Sequence, residues 1–213
     1  MTKKPKVVAF LARAGHGKTT AARHLVTQHN ARIVSFAGPL KRLAKRLLPL
    51  TDEQLYGATE AKEAVDPRFG FSSGEFMQRL GEGARQEIRQ LVWYDGAINE
   101  IHQLFNASDD KDNLVFVIDD MRYINEAEAF YNDDTINSRV IKLTCPDAVS
   151  NRDPNHPSEA QVELVPPKFI DHTIISKKST DSTDLKEKVD AVFATLFPPT
   201  HSKEELFKTH KID

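Results

Sequence analysis

Val7-Val8-Ala9-Phe10-Leu11-Ala12-Arg13-Ala14-Gly15-His16-Gly17-Lys18-Thr19-Thr20 is the stretch that decides how this chain is read. A short apolar run, β-branched at its start, feeds a loop of small residues ending in Gly-Lys-Thr, and a helical pattern follows. Strand, glycine-bearing loop and helix in that order make a phosphate-binding P-loop. The spacing G-x-x-x-x-G-K-[ST] is kept except at its first glycine, which falls on Ala12. Alanine costs little there as long as φ stays negative.

The chemistry follows from the backbone. N–H groups from Arg13, Ala14, Gly15, His16, Gly17, Lys18, Thr19 and Thr20 surround the phosphates of an ATP-type ligand with partial positive charge. Lys18 adds a full charge aimed at the β- and γ-phosphates, and the Thr19 hydroxyl is placed to ligate Mg2+.

Composition narrows the remaining classes. The 213 residues suit one α/β domain with room for an inserted substrate lobe. Twenty-nine basic residues nearly balance 31 acidic ones, which argues against stable binding of nucleic acid. The single Cys145 excludes an internal disulfide and fits a reducing cytoplasm. Lys3, Lys4 and Lys6 precede an apolar run too short for a signal peptide, and no stretch approaches a membrane span.

Along the chain, apolar runs alternate with helical patterns, which predicts a parallel five-stranded sheet flanked by helices. Strands are expected at 6–11, 32–36, 114–118, 139–144 and 172–175. Helices are expected at 18–28, 38–48, 74–90, 94–105, 125–132 and 184–196. Residues 51–73 and 146–168 are polar interruptions of a length usual in functional loops or lids. The resulting division is a single domain over 1–197, with its core in 1–50, 91–145 and 169–197. A substrate lobe at about 51–90, a lid at about 146–168 and a tail over 198–213 complete it.

Two further segments carry chemistry. Leu114-Val115-Phe116-Val117-Ile118 is wholly apolar and delivers Asp119 and Asp120 to its C-terminal end, where open α/β sheets bind ligands. One of these carboxylates can hold Mg2+ opposite Thr19; the alternative is a cap for the next helix. Arg122 can offer a phosphate a bidentate fork. In the helix around residues 76–91, Met77, Leu80, Ala84, Ile88 and Leu91 make an apolar stripe with Gln78, Gly81 and Arg85 along its margin. A glycine inside a helix costs about 1 kcal/mol relative to alanine, so something approaches Gly81 closely. That is either a planar base read by Gln78 or another helix.

Ser35-Phe36-Ala37-Gly38-Pro39-Leu40-Lys41, Lys62-Glu63, Gln78-x-x-Gly81, Asp120-x-Arg122-x-x-Asn125-Glu126 and His156-x-Ser158-Glu159 occur in this order. The set resembles the bacteriophage-type deoxynucleoside monophosphate kinases, and several segments are also similar to the animal-type phosphomevalonate kinases. The resemblance implies a P-loop NTPase fold with a nucleotide-kinase-type substrate lobe and lid. It implies three catalytic cations: Lys18 on ATP, Arg122 on the phosphate being attacked, and a lid arginine, Arg152, closing on the transferring group. Asp120 falls at the Walker B position, and Lys41, Lys62, Gln78, Arg85 and Arg122 would line the acceptor pocket. The implied reaction is ATP-dependent phosphorylation of a deoxynucleoside or nucleoside 5′-monophosphate to the diphosphate, supplying precursors for DNA synthesis. A phosphomevalonate-type kinase and a P-loop ATPase or kinase acting on DNA are the alternatives, and a homodimer stays open. The chain departs from the family at Gly74, where an arginine is common, and at Ser176, where an asparagine is.

Overall fold

Strand β1 (Lys6–Leu11) is buried over its last five residues, because it is flanked by strands on both sides and by helices on both faces. The computed structural model describes residues 3–149 and 157–198. After β1 come α1 (Lys18–His29), β2 (Arg32–Val34), α2 (Ala37–Leu47), α3 (Asp52–Tyr56) and α4 (Thr59–Glu63). A hairpin of β3 (Val65–Asp66) and β4 (Phe71–Ser72) leads into α5 (Ser73–Glu87) and α6 (Val92–Asn106). The chain then forms β5 (Val115–Met121), α7 (Ile124–Asn132), β6 (Asn137–Thr144), α8 (Pro157–Leu164), β7 (His172–Ile175) and α9 (Thr183–Leu196).

The five long-range strands form the expected parallel sheet, in the order β2-β5-β1-β6-β7. Its core packs Val8, Phe10 and Val117 of the sheet against Ala21 and Leu25 of α1 and Leu185, Val189 and Phe193 of α9. These contacts make one unit from the residues up to Ile33 and from Ser108 onward; Val34–Ala107 form a second, helical unit. Among the described residues no helix is long and apolar enough to cross a membrane.

The helical unit has its own small core of Ala44, Leu50 and Leu55, packed by Leu48, Phe69, Phe76, Met77 and Leu80. Residues 51–73, read as a polar interruption, are ordered by local devices. Thr51 and Gln54 form a reciprocal capping box at the start of α3. Asp66, 6% exposed, accepts from the backbone N–H and guanidinium of Arg68 and from Gln54. Hydrogen bonds from Arg68 above all hold its carboxyl well below the usual carboxylate range.

Helix α5 ends at Glu87, so Ile88 leaves the apolar stripe and is 75% exposed. The neighbours of Gly81 are Leu40 and Trp93. A Cβ at 81 would lie 3.1 Å from Leu40 Cδ2, and the Trp93 indole N–H donates to the Gly81 carbonyl at 3.0 Å. The glycine serves the packing of α5 against α2 and α6, and Trp93 is part of the same packing. Trp93→Phe leaves a buried carbonyl without this donor, and the expected loss is about 2 kcal/mol of unfolding free energy in urea titration.

Candidate active site

The loop between β1 and α1 is bent by Gly15 at φ 81° and Gly17 at φ 89°, a region that favours glycine. Gly17 has a second reason to be glycine, since a Cβ there would come within 2.6 Å of Leu185 Cδ2 on α9. Ala12 has no side-chain conflict: it is fully buried in the core, and the positive-φ residues other than glycine among those described are Asn30 and Ser182. Helix α1 starts on Gly17 with no side-chain cap and no acidic residue in its first turn. Its orphan N–H groups and the positive end of its dipole are therefore left to an anion. Lys18 is 7% exposed and its ammonium donates to the carbonyls of Ala12 and of Arg13, the latter at 2.8 Å. Thr19 is exposed and Thr20 half-buried, on the first turn of the helix.

Strand β5 runs beside β1, with Ala9 opposite Ile118 and Leu11 opposite Met121. Two residues of β5, Asp119 and Asp120, thus face the single Phe10. The pairing contains a bulge, and strict alternation of side chains breaks at the two half-buried aspartates. Both lie inside the strand, which continues to Met121, three residues beyond its expected end. Arg122 follows immediately, so it leaves the sheet next to Ala12. Its guanidinium pairs through Nη1 with Glu159 Oε1, while Glu159 Oε2 accepts from the Ala14 N–H at 2.8 Å.

His16 is half-buried in the loop, and its Nδ1 accepts from the Cys145 backbone N–H at 3.2 Å. The proton of the neutral ring is therefore on Nε2. Burial, reinforced by the charges of Lys18 and Arg13, lowers its pKa below the ordinary 6.5. Arg13 lies 3.5 Å from Glu163, which also pairs with Lys142 at 2.7 Å. That hydrogen bond from Lys142 leads the causes that lower the Glu163 pKa.

Among the described residues no three His, Cys, Asp or Glu side chains are grouped to hold a metal ion by themselves. Magnesium suits such a place, because it is usually held by one or two protein oxygens together with phosphates and water. Thr19, Asp119 and Asp120 are oxygen donors of that hard kind.

The residues expected to bind an acceptor lie in the helical unit, Arg122 excepted. Lys41 of α2 sits over the Tyr56 ring at 5.0 Å, Gln78 of α5 is exposed, and Lys62 and Arg85 are half-buried. Gly74, where the family carries arginine, is tightly packed. A Cβ there would be 3.0 Å from the Lys62 carbonyl oxygen, so α4 occupies the space a side chain would need. Two nearby cations in sequence have carboxylate partners: Arg68 pairs with Asp66 and Arg79 with Glu75. Arg152, His156 and the Ser158 side chain lie outside the described residues. Sequence reasoning did not foresee what Glu159, Glu163 and Cys145 contact. The available hints were the His156-x-Ser158-Glu159 motif and the spacing of the two glutamates by one helical turn.

Fold and loop together define a protein of the P-loop kinase class. A protein of Acanthamoeba polyphaga mimivirus, described as "Putative deoxynucleotide monophosphate kinase", is 31% identical over 181 residues, covering 82% of this chain and 90% of that one. The chain belongs to the deoxynucleotide monophosphate kinase family. No family model matches it. A crystal structure from Thermus thermophilus shares the fold at a TM-score of 0.51 and 16% identity, covering 91% of this chain and 99% of that one. The dephospho-CoA kinase of Campylobacter jejuni aligns at a TM-score of 0.49 and 13% identity over 91% and 98% of the two chains.

Two measurements check the loop. Lys18→Ala should lower ATP-dependent turnover on the order of 100-fold or more with the melting temperature little changed. A neutral His16 contributes stability in full above pH 6.5, and this contribution is lost as the pH falls below that value towards the lowered pKa of the folded ring. His16→Asn keeps an acceptor for Cys145 without a titrating ring. Its melting temperature should fall less than the wild type's between pH 7 and pH 5.

Proposed function

We propose that the protein transfers the γ-phosphate of ATP to the 5′-phosphate of a deoxynucleoside monophosphate, yielding the diphosphate. The observation that carries the reading is the placement of Arg122 directly beside the phosphate loop, through the pairing of Leu11 with Met121 and the shared contact with Glu159. A loop that holds one polyanion, with an arginine fork next to it, suits a reaction between two phosphates. The sequence relative described as a deoxynucleotide monophosphate kinase supports the choice of acceptor.

The attacking oxygen belongs to a phosphate that is already anionic near neutral pH, so no general base is required. Catalysis then rests on alignment and charge neutralisation. Lys18, once turned from the loop carbonyls towards the β- and γ-phosphates, offsets charge on the transferring group. Arg122 holds the phosphate being attacked. Magnesium held near Thr19 and Asp120, or Asp119, would supply further neutralisation of the phosphate oxygens. Lys41, Lys62, Gln78 and Arg85 are proposed for the acceptor, and Arg152 as a further cation at the transferring group, on the resemblance. A cytoplasmic place of action fits the buried, unpaired Cys145.

A second reading, a phosphomevalonate-type acceptor, is favoured by one observation. Gly81, whose close neighbour could have been a base or a helix, is used with Trp93 in helix packing, so Gln78 alone speaks for base recognition. One ADP-release assay over the deoxynucleoside and ribonucleoside monophosphates and phosphomevalonate separates the readings. Release stimulated at least tenfold by a deoxynucleoside monophosphate is the expected result. Stimulation by phosphomevalonate alone, or by DNA without any small acceptor, would overturn it.

A further inference from the structure

Glu159 is 2% exposed, a carboxylate held almost entirely out of water. Such a group is costly unless its oxygens are met by donors. Each oxygen has one, and the two donors come from different parts of the site. Oε2 accepts from the Ala14 N–H of the phosphate loop, and Oε1 pairs with Arg122 at the end of β5. The loop and the arginine are thus referenced to a single carboxylate.

The helix that carries Glu159 is itself fastened. One turn further along α8, Glu163 pairs with Lys142 of β6 and approaches Arg13 of the loop. Between them, Gln161 accepts from the Ile124 N–H at the start of α7. Glu159 is therefore fixed from its own backbone as well as through its oxygens. Arg122 differs in keeping 18% of its side chain exposed, while the carboxylate behind it is closed off. A guanidinium offers five N–H donors in a rigid fork, and Glu159 engages it at Nη1.

We propose that Glu159 is a positioning residue for phosphoryl transfer: it locks Arg122 to the phosphate loop so that the arginine meets the acceptor phosphate at a preset geometry. This rests on the reading of Arg122 as a ligand of the attacked phosphate. A flexible arginine would have to be ordered each time substrate binds, whereas one held by a buried partner is ordered on folding. The burial of Glu159 also separates this role from that of a carboxylate that merely occupies an anion site and yields to phosphate. A yielding group needs somewhere to go, and Glu159 is enclosed.

The test is a double-mutant cycle in steady-state kinetics, with ATP, magnesium and the most active nucleoside monophosphate. Wild type, Glu159→Gln, Arg122→Ala and the double variant are compared, with melting temperatures alongside. Glu159→Gln should lower kcat about 10–100-fold, the range seen when an orienting partner is removed, with the KM for ATP changed less than about threefold. The double variant should be no slower than Arg122→Ala alone, because Glu159 acts through Arg122. Losses that multiply would overturn the proposal. So would a Glu159→Gln enzyme that binds ATP more tightly at unchanged kcat, the behaviour of a competing anion. Should that variant fail to fold, Glu159→Asp, which keeps the charge at shorter reach, reads the same split and the same cycle. A wild type inactive on every nucleoside monophosphate overturns the functional reading itself; an active wild type with multiplying losses overturns only the role of Glu159.

Discussion

Between Ala12 and Gly17 the backbone must leave a strand paired on both sides and begin a helix whose first N–H groups are left for a ligand. The turn is possible because Gly15 and Gly17 take φ values of 81° and 89°. Much of the site depends on it. Leu185 can cover the loop only because Gly17 has no side chain. Lys18 can tie the carbonyls of Ala12 and Arg13 only because the helix starts directly after the bend. The N–H of Ala14 is presented to Glu159 by the same bend.

The charges around the loop are arranged by role. Helix α1 brings no carboxylate to its own first turn, so none within the helix offsets its dipole. Besides Asp119 and Asp120 of β5, acidic groups near the loop come from α8: Glu159 engages Arg122 and the Ala14 N–H, and Glu163 pairs with Lys142 and approaches Arg13. The carboxylates of α8 thus orient cations at the margin of the loop. His16, kept neutral by burial and by the adjacent Lys18, adds no charge of its own and ties the loop to the end of β6 instead.

Periodicity and local chemistry made the sheet, its flanking helices and the phosphate loop legible, because each is written in residues close together in the chain. The reading of Ala12 as a tolerated substitute also rested on local backbone geometry. What could not be read is what depends on register and packing. The bulge at Asp119–Asp120 exists only in relation to Phe10 of another strand. The partners of Glu159 lie far along the chain, at Ala14 and Arg122. Gly81 announced a close neighbour, but its identity, Leu40 and Trp93 in place of a base, is a property of how α2, α5 and α6 pack. The small elements within 51–73 are an intermediate case. Thr51 and Gln54 spell a capping box that sequence alone could have revealed, whereas the burial of Asp66 could not be seen there.

The strand order has a consequence for how the chain folds. β1 is made before the helical unit, yet its two partners begin at Val115 and Asn137, after the whole of that unit has been passed. The helical unit is one uninterrupted segment, complete in the chain before β5 is made. During synthesis at roughly 5–20 residues per second, the apolar β1 and the loop behind it wait several seconds for β5 and β6. The phosphate loop is therefore synthesised before the helical unit and held in shape only after it.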